Sequence, residues 1–237
     1  MNIRSSLMPT VMMAVCLPIL LKLGIWQLDK AENKQRQLDS YLARGQLGVV
    51  PIPAAIVDAE EVVHYRVSAT GSYDADRQFF VDNITLRGRP GYHVITPLRI
   101  VESNTRVLVN RGWVPWGDDR NVLPQVSPPP QPLRVQGRAT VPANEFFTLR
   151  DESDDTEWEW RWQNLDMDRF TRLADYPVQP IVILLDPVAE DSKLRQEWDV
   201  PRNDWIERHR AYAFQWFALA VTLVVLTIFS LRKGRSK

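Results

Sequence analysis

Two long apolar runs bracket this chain, residues 7–21 and 211–231, and every acidic residue lies between them. The second run has 21 residues, about 31 Å as a helix, enough to cross the hydrocarbon core of a bilayer. A chain of this kind is expected to be held in a membrane at both ends. Arg4 precedes the first run, while Arg232, Lys233, Arg235 and Lys237 follow the second, and neither tail carries an acid. The positive-inside rule then puts both tails in the cytoplasm and the middle outside it. A basic residue followed by an apolar run also opens a cleavable signal peptide. The segment that follows here, GIWQLDKAENK, lacks the small-x-small cleavage pattern, and Lys22 can snorkel to the interface, so the run is read as a retained anchor. The expected organisation is a tail at 1–6, a transmembrane helix at 7–27, an extracytoplasmic domain at 28–208, a second transmembrane helix at 209–231 and a tail at 232–237.

The formal charge of the whole chain is zero, but the middle is acidic: the stretch 29–209 holds 29 acidic and 22 basic residues, net −7. A field of that sign argues against nucleic acid and against an anionic lipid surface as the main partner of the outer domain, while membrane lipid surrounds the helices. Cys16 is the only cysteine and lies in the first apolar run. An intramolecular disulfide is therefore impossible, as is a zinc site built from several thiolates. The middle must be stabilised by its core alone.

Residues 27–44 place Leu28, Ala31, Leu38 and Leu42 at loose helical spacing among charges, which predicts that the first helix continues outward as an amphipathic stalk ended by Pro51 and Pro53. Beyond it come short runs rich in β-branched and aromatic residues at 62–72, 78–85, 92–101, 105–114, 133–141 and 159–165. Turn chemistry at 87–91 and 102–105 separates them. The expected fold class is α+β: two transmembrane helices flanking one β-rich domain, a curved antiparallel sheet or open barrel with short helices. The proline-rich stretch 115–132 reads as an extended excursion. A short helix at 166–174 with Asp166 as its N-cap precedes a last strand at 181–185. The acidic stretch 151–157 and the group Asp118, Asp119 and Arg120 read as solvated.

Catalytic signals are poor. There is no GxSxG, no HExxH and no phosphate-binding glycine loop, and His64, His93 and His209 are the only histidines. The chain is not expected to be an enzyme. His209 opens the second apolar helix between Arg208 and Arg210, and helical spacing places Tyr212, Ala213 and Trp216 on its face. A neutral imidazole there can ligate a haem iron, with an arginine pairing with a propionate; the alternative is an ordinary interfacial histidine in an aromatic belt. Trp158, Trp160 and Trp162 alternate with charged residues and would share one strand face, filling the interior or, as the alternative, stacking on a flat ligand. Asn110, Arg111, Gly112 and Trp113 form a compact cluster at a strand end, read as a bend or as a partner contact. Trp26 and Gln27 should lie near the His209 end of the second helix, with Gln27 and Gln215 able to join the helices by a hydrogen bond.

Three sets of segments stand out together: Gly24-Ile25-Trp26-Gln27-Leu28 with Lys30 and Lys34; the pair of stretches 89–98 (RPGYHVITPL) and 107–115 (VLVNRGWVP); and His209 with Tyr212-Ala213 and Gln215-Trp216-Phe217. In this order they resemble the surfeit locus protein one family, membrane proteins that assist cytochrome c oxidase assembly in mitochondria and bacteria. Tyr65-Arg66, Gly71 and Tyr73 add support. The chain departs from the family pattern at Glu207, where an Asn stands two residues before the histidine, and at Asn164, where an acid is usual.

The resemblance implies an assembly factor for haem-copper oxidase in the bacterial inner membrane, with the central domain periplasmic. It implies haem a as a transient cofactor, with delivery or insertion of that haem into the catalytic subunit. Its partners would be that subunit and the proteins of haem a synthesis or insertion. His209 becomes the leading iron ligand, with Arg210, Tyr212 and Trp216 around the cofactor. The alternative is a cofactor-free scaffold that stabilises an oxidase assembly intermediate.

Overall fold

The computed structural model describes residues 3–117, 119–120, 122–142, 157–187, 193–198 and 203–235. Asp118 and residues 151–156 of the acidic stretch lie outside them. In chain order the elements are α1 (Ile3–Gly45), β1 (Val50–Pro51), α2 (Ala59–Val62), β2 (Arg66–Tyr73), β3 (Phe79–Leu86), β4 (Arg89–Ile100), β5 (Arg106–Pro115), β6 (Leu133–Thr140), β7 (Arg161–Trp162), α3 (Met167–Leu173), β8 (Val178–Leu185) and α4 (Asn203–Arg235). They divide into two compact units, one of residues 1–41 with 200–237 and one of residues 42–199.

The first unit is a pair of helices. Both contain a window apolar enough to cross a membrane, with mean hydropathy 1.9 in α1 and 2.1 in α4. Only 6% and 11% of these windows are buried within the protein. A core helix of a soluble domain would be covered; these present their apolar surface outward, as a lipid-facing helix does.

The second unit is a closed five-stranded barrel. Strands β2, β6, β8, β5 and β4 pair in that order, and β4 pairs back to β2. The extra strands β3 and β7 continue from β4, and β1 adds beside β2. Closure occurs at Gly71, which pairs with Leu133 of β6 and with Ile100 of β4. A β-carbon at Gly71 would lie 2.0 Å from the carbonyl oxygen of Arg99, so only glycine permits the corner. Gly137 makes the matching corner between Val67 and Leu185, where a β-carbon would meet the Leu184 oxygen at 2.1 Å.

Alternate residues point into the barrel: Val67 and Ala69, Leu98 and Ile100, Val107 and Val109, Ile181 and Ile183 pack as one buried cluster. The intervening Leu108 and Val182 face outward into a second cluster with Phe79, Trp162 and Phe170, covered by α3. Because both faces of β5 and β8 are covered, 181–185 reads as an unbroken apolar run and not as an alternation. Burying each of these side chains stabilises the fold by about 1.5–3 kcal/mol.

The N-cap of α3 is as expected: the Asp166 carboxylate accepts the Arg169 N–H at 2.9 Å. The turn between β3 and β4 narrows to Arg87 and Gly88, with φ of 50° and 78°, as a two-residue hairpin turn requires. Several expectations are corrected. The barrel closes, and β5–β8 is parallel, as are the short pairs β1–β2 and β3–β7. A parallel pair needs a long crossover, which residues 116–177 supply.

The strand expected from 62 starts at Arg66, because Asp58 caps the short helix α2 by accepting the Glu60 N–H at 2.9 Å. Pro51 lies in β1, and the stalk expected at 27–44 is the outer part of α1, which ends before it at Gly45. There Arg44 donates to the carbonyls of Glu60 and Val63 at 2.8 and 2.9 Å, and a β-carbon on Gly45 would meet the Arg138 guanidinium at 2.6 Å. The strand expected at 159–165 contracts to β7, so the tryptophan alternation breaks. Trp158 and Trp162 join the outer core, while Trp160 is 50% exposed. Arg120 is held and not merely solvated, its guanidinium 2.9 Å from Asp82 and 4.3 Å from the Trp116 ring centroid.

Candidate functional site

Within the helix unit, α1 and α4 run antiparallel. Ala31 and Leu38 of α1 pack with Ile206 at the start of α4, and Leu17 and Leu21 meet Ala220 and Val224 further along. Buried Ile206, Ala213, Ala220 and Thr227 recur every seven residues on α4, matched by Gly24, Ala31 and Leu38 on α1. This is the seam of a two-helix coiled coil. Its small residues leave room for larger partners: a β-carbon on Gly24 would sit 2.6 Å from the ring of Phe217.

The candidate ligand sits on this seam. His209 is half-buried, with its Nδ1 2.7 Å from Oε1 of Gln27 on α1. The expected closeness of Gln27 to the His209 end is thus realised, but the partner of Gln27 is His209 and not Gln215. Gln215 lies on the exposed side of α4, two residues from buried Ala213 and so about 200° around the helix from it. Of the other residues singled out, Trp216 is half-buried and Arg210 exposed, while Tyr212 is 51% exposed. Trp26 is 48% exposed, with the Lys30 ammonium 5.8 Å from its ring centroid. Further along the seam, Leu17, Leu21, Phe217, Ala220 and Val224 line an apolar groove of about 260 Å³.

Asn110, Arg111, Gly112 and Trp113 lie within β5, not at its end. Val94 pairs with Gly112 and Ile95 with Asn110, so Arg111 is the extra residue of a β-bulge. Gly112 adopts φ 139°. Arg111 is 1% exposed, donates to Gln78 Oε1 at 2.9 Å and to the Ser127 carbonyl at 3.3 Å, and lies 5.4 Å from the Tyr73 ring centroid. The bend expected here is therefore real, and the cluster has a second task within the chain. Gln196 Nε2 donates to the Arg111 carbonyl at 3.0 Å, and Leu194 packs where a Gly112 β-carbon would be, at 3.0 Å. The bulge is the seat for the segment 193–198.

Gln78 was not legible in the sequence. Its Oε1 accepts from Thr96 as well as Arg111, and its Nε2 donates to the Val126 carbonyl at 2.9 Å. These partners are 18 to 48 residues away, and no local pattern marks them. Gly24 and the seam alanines did leave a signal, their spacing of seven.

The comparisons with known proteins agree along most of the chain. A sequence model of the SURF1 family matches residues 14–221. A SURF1-like protein of Monosiga brevicollis is 24% identical over 237 residues, spanning 91% of this chain and 84% of the relative. A SURF1-like protein of Rickettsia bellii is 25% identical over 221 residues, spanning 88% and 84%. Surfeit locus protein 1 of Mus musculus is 25% identical over 107 residues, 39% of this chain and 35% of its own length.

Proposed function

The chain belongs to the SURF1 family, and we propose that it is an assembly factor for haem-copper cytochrome c oxidase, assisting delivery or insertion of haem a into the catalytic subunit. The observation that carries this reading is the placement of His209 on the helix seam, one imidazole nitrogen held by Gln27. Among the described residues no three His, Cys, Asp or Glu side chains gather as an ion site. The chain would need to supply only one donor atom to hold a haem, so a lone imidazole fits a haem better than a bare ion.

Haem a, when bound, supplies the iron and the conjugated ring; the chain holds it and lets it go. His209 would hold the iron through its second imidazole nitrogen, and the exposed guanidinium of Arg210 would pair with a propionate. Trp216 and Tyr212 offer aromatic surface. The apolar groove from Leu17 to Val224 has a hydrocarbon lining that suits an isoprenoid tail. A single protein ligand favours release to the recipient, since a tightly closed site would compete with it. The role is carriage without turnover, in keeping with a sequence that has no catalytic motif.

The two helices would cross the bacterial inner membrane with both tails cytoplasmic and the acidic barrel outside. The barrel would meet the oxidase subunit or the proteins that make and insert its haem. A cofactor-free scaffold is the second reading, favoured by the same Gln27–His209 bond, which as an interhelical contact accounts for a polar pair on the seam without any cofactor.

The test is the haem a content of assembled oxidase in cells that lack this chain, complemented with the parent or with His209→Ala at equal level. The reading predicts loss of haem a from the catalytic subunit, restored by the parent and not by the variant. Full restoration by the variant favours the scaffold, and a normal haem a content without the chain contradicts both.

A further inference from the structure

We infer that Gln27 is a positioning residue that selects the tautomer of His209. An amide oxygen only accepts hydrogen bonds, so Oε1 at 2.7 Å places the imidazole proton on Nδ1 and leaves the lone pair on Nε2. Nε2 is the ring nitrogen farther from the backbone and the one able to reach a ligand beyond the helix surface. The same bond fixes the plane of the ring.

Neighbours on the seam keep the pair in register. Ala31 and Ile206 are buried on one side and Ala213 on the other, and the Phe217 ring lies against Gly24 one turn before Gln27. Gln27 and His209 are themselves half-buried. Water therefore competes for the amide less than it would on an open helix face, and the packed seam leaves the two side chains few alternative positions. Partners beyond the ligand shell orient metal-binding histidines in this way and tune what they hold. The tautomer is a property of the chain itself. Its use in holding iron rests on the haem reading above, in which a protonated Nε2 would leave no ligand.

The experiment is nitrogen NMR of the full chain, haem-free in detergent, with labelled histidine and at a pH above the ordinary histidine range. Assignment comes from the His209→Ala spectrum. The parent is expected to show His209 protonated at Nδ1 with a bare Nε2. Gln27→Glu, whose carboxylate also accepts, should keep that form, whereas Gln27→Leu should shift the population toward protonated Nε2. A parent with protonated Nε2, or a tautomer unmoved in Gln27→Leu, overturns the inference, and the parent spectrum alone decides if the leucine variant does not fold. A second readout separates this inference from the haem reading. Haem a bound by the parent should show a lower reduction potential in Gln27→Glu and weaker retention in Gln27→Leu. If the tautomer shifts as expected while no variant binds or alters haem, the positioning role stands and the haem reading falls.

Discussion

Trp113 and Arg195 exchange both backbone hydrogen bonds, each N–H reaching the other's carbonyl at 2.9 Å. This reciprocal pair fastens the segment 193–198 onto the bulge of β5, and Trp198 extends the attachment by donating to the Leu185 carbonyl at 3.0 Å. Gly112 makes the approach possible, since a β-carbon there would lie 3.0 Å from that of Leu194 and 3.1 Å from the Arg195 oxygen. Gly112→Val adds this overlap to a φ of 139° that a β-branched residue tolerates poorly, at about 1–3 kcal/mol for the backbone alone. The variant should release the segment, and limited trypsin digestion should cut after Lys193 and Arg195 faster than in the parent.

Arg111 is buried with its guanidinium spent on Gln78 and on the Ser127 carbonyl, which ties the proline-rich excursion back to the barrel. Arg111→Met keeps much of the volume but strips Gln78 of a donor and the loop of its anchor. Loss of a buried charged hydrogen-bonding group of this kind destabilises by about 2–4 kcal/mol. Thermal unfolding of the detergent-solubilised chain should register that as a lowered midpoint, with the helix content retained below the transition.

His64 and Tyr176 give the barrel opposite pH responses. Burial, aided by the cations Arg44 and Arg138, lowers the His64 pKa from 6.5. The folded state therefore resists taking up the proton that the unfolded chain accepts. The His64 contribution is fully present above pH 6.5 and is lost as pH falls below 6.5 toward the folded-state value. His64 has φ 70°, a conformation that asparagine also adopts, so His64→Asn removes the titration with little backbone cost. The parent should lose stability relative to this variant on acidification, and parallel pH profiles would contradict the assignment.

Tyr176 runs the other way: burial, then the charge of Asp74, raises its pKa to about 12. Its contribution is present below pH 10 and fades as pH rises toward 12. A phenolate absorbance titration should show Tyr176 ionising only in that range, and Tyr176→Phe should abolish that step.

Gly24 makes room on α1 for the Phe217 ring of α4. Gly24→Val would press two methyl groups into the space of the Phe217 ring, whose nearest atom lies 2.6 Å from where a β-carbon would stand, an overpacking cost of about 1–3 kcal/mol. Cysteine pairs engineered at Gln27 and His209 should crosslink readily in the Gly24 background and poorly beside Gly24→Val. Equal yields would show that this contact does not set the helix pair.

What the sequence made legible was local or forced by topology. The Asp166 cap and the turn at Arg87-Gly88 depend on neighbours within four residues; the cap stands as expected and the turn falls within the stretch expected for it. The closeness of Gln27 to the His209 end of α4 was legible because one domain must collect both helices, but the hydrogen bond to His209 itself was not. Gln215 does not partner Gln27 because it lies about 200° around α4 from buried Ala213, on the exposed side. Closure at Gly71 and Gly137, the parallel β8 and the seat of Gln196 on Arg111 all join residues far apart in the chain. A run of apolar residues does not say which of two cores each one faces, so 181–185 announced a strand but not its neighbours.

The measurement that tests the central claim most directly is the absorption spectrum of the full chain, purified in mild detergent from cells that make haem a, beside His209→Ala produced at equal level. A haem a spectrum in the parent that is lost in a folded, membrane-inserted variant is the predicted result. A colourless parent, or a pigment that survives the substitution unchanged, would contradict the account of His209 as the residue that holds the cofactor.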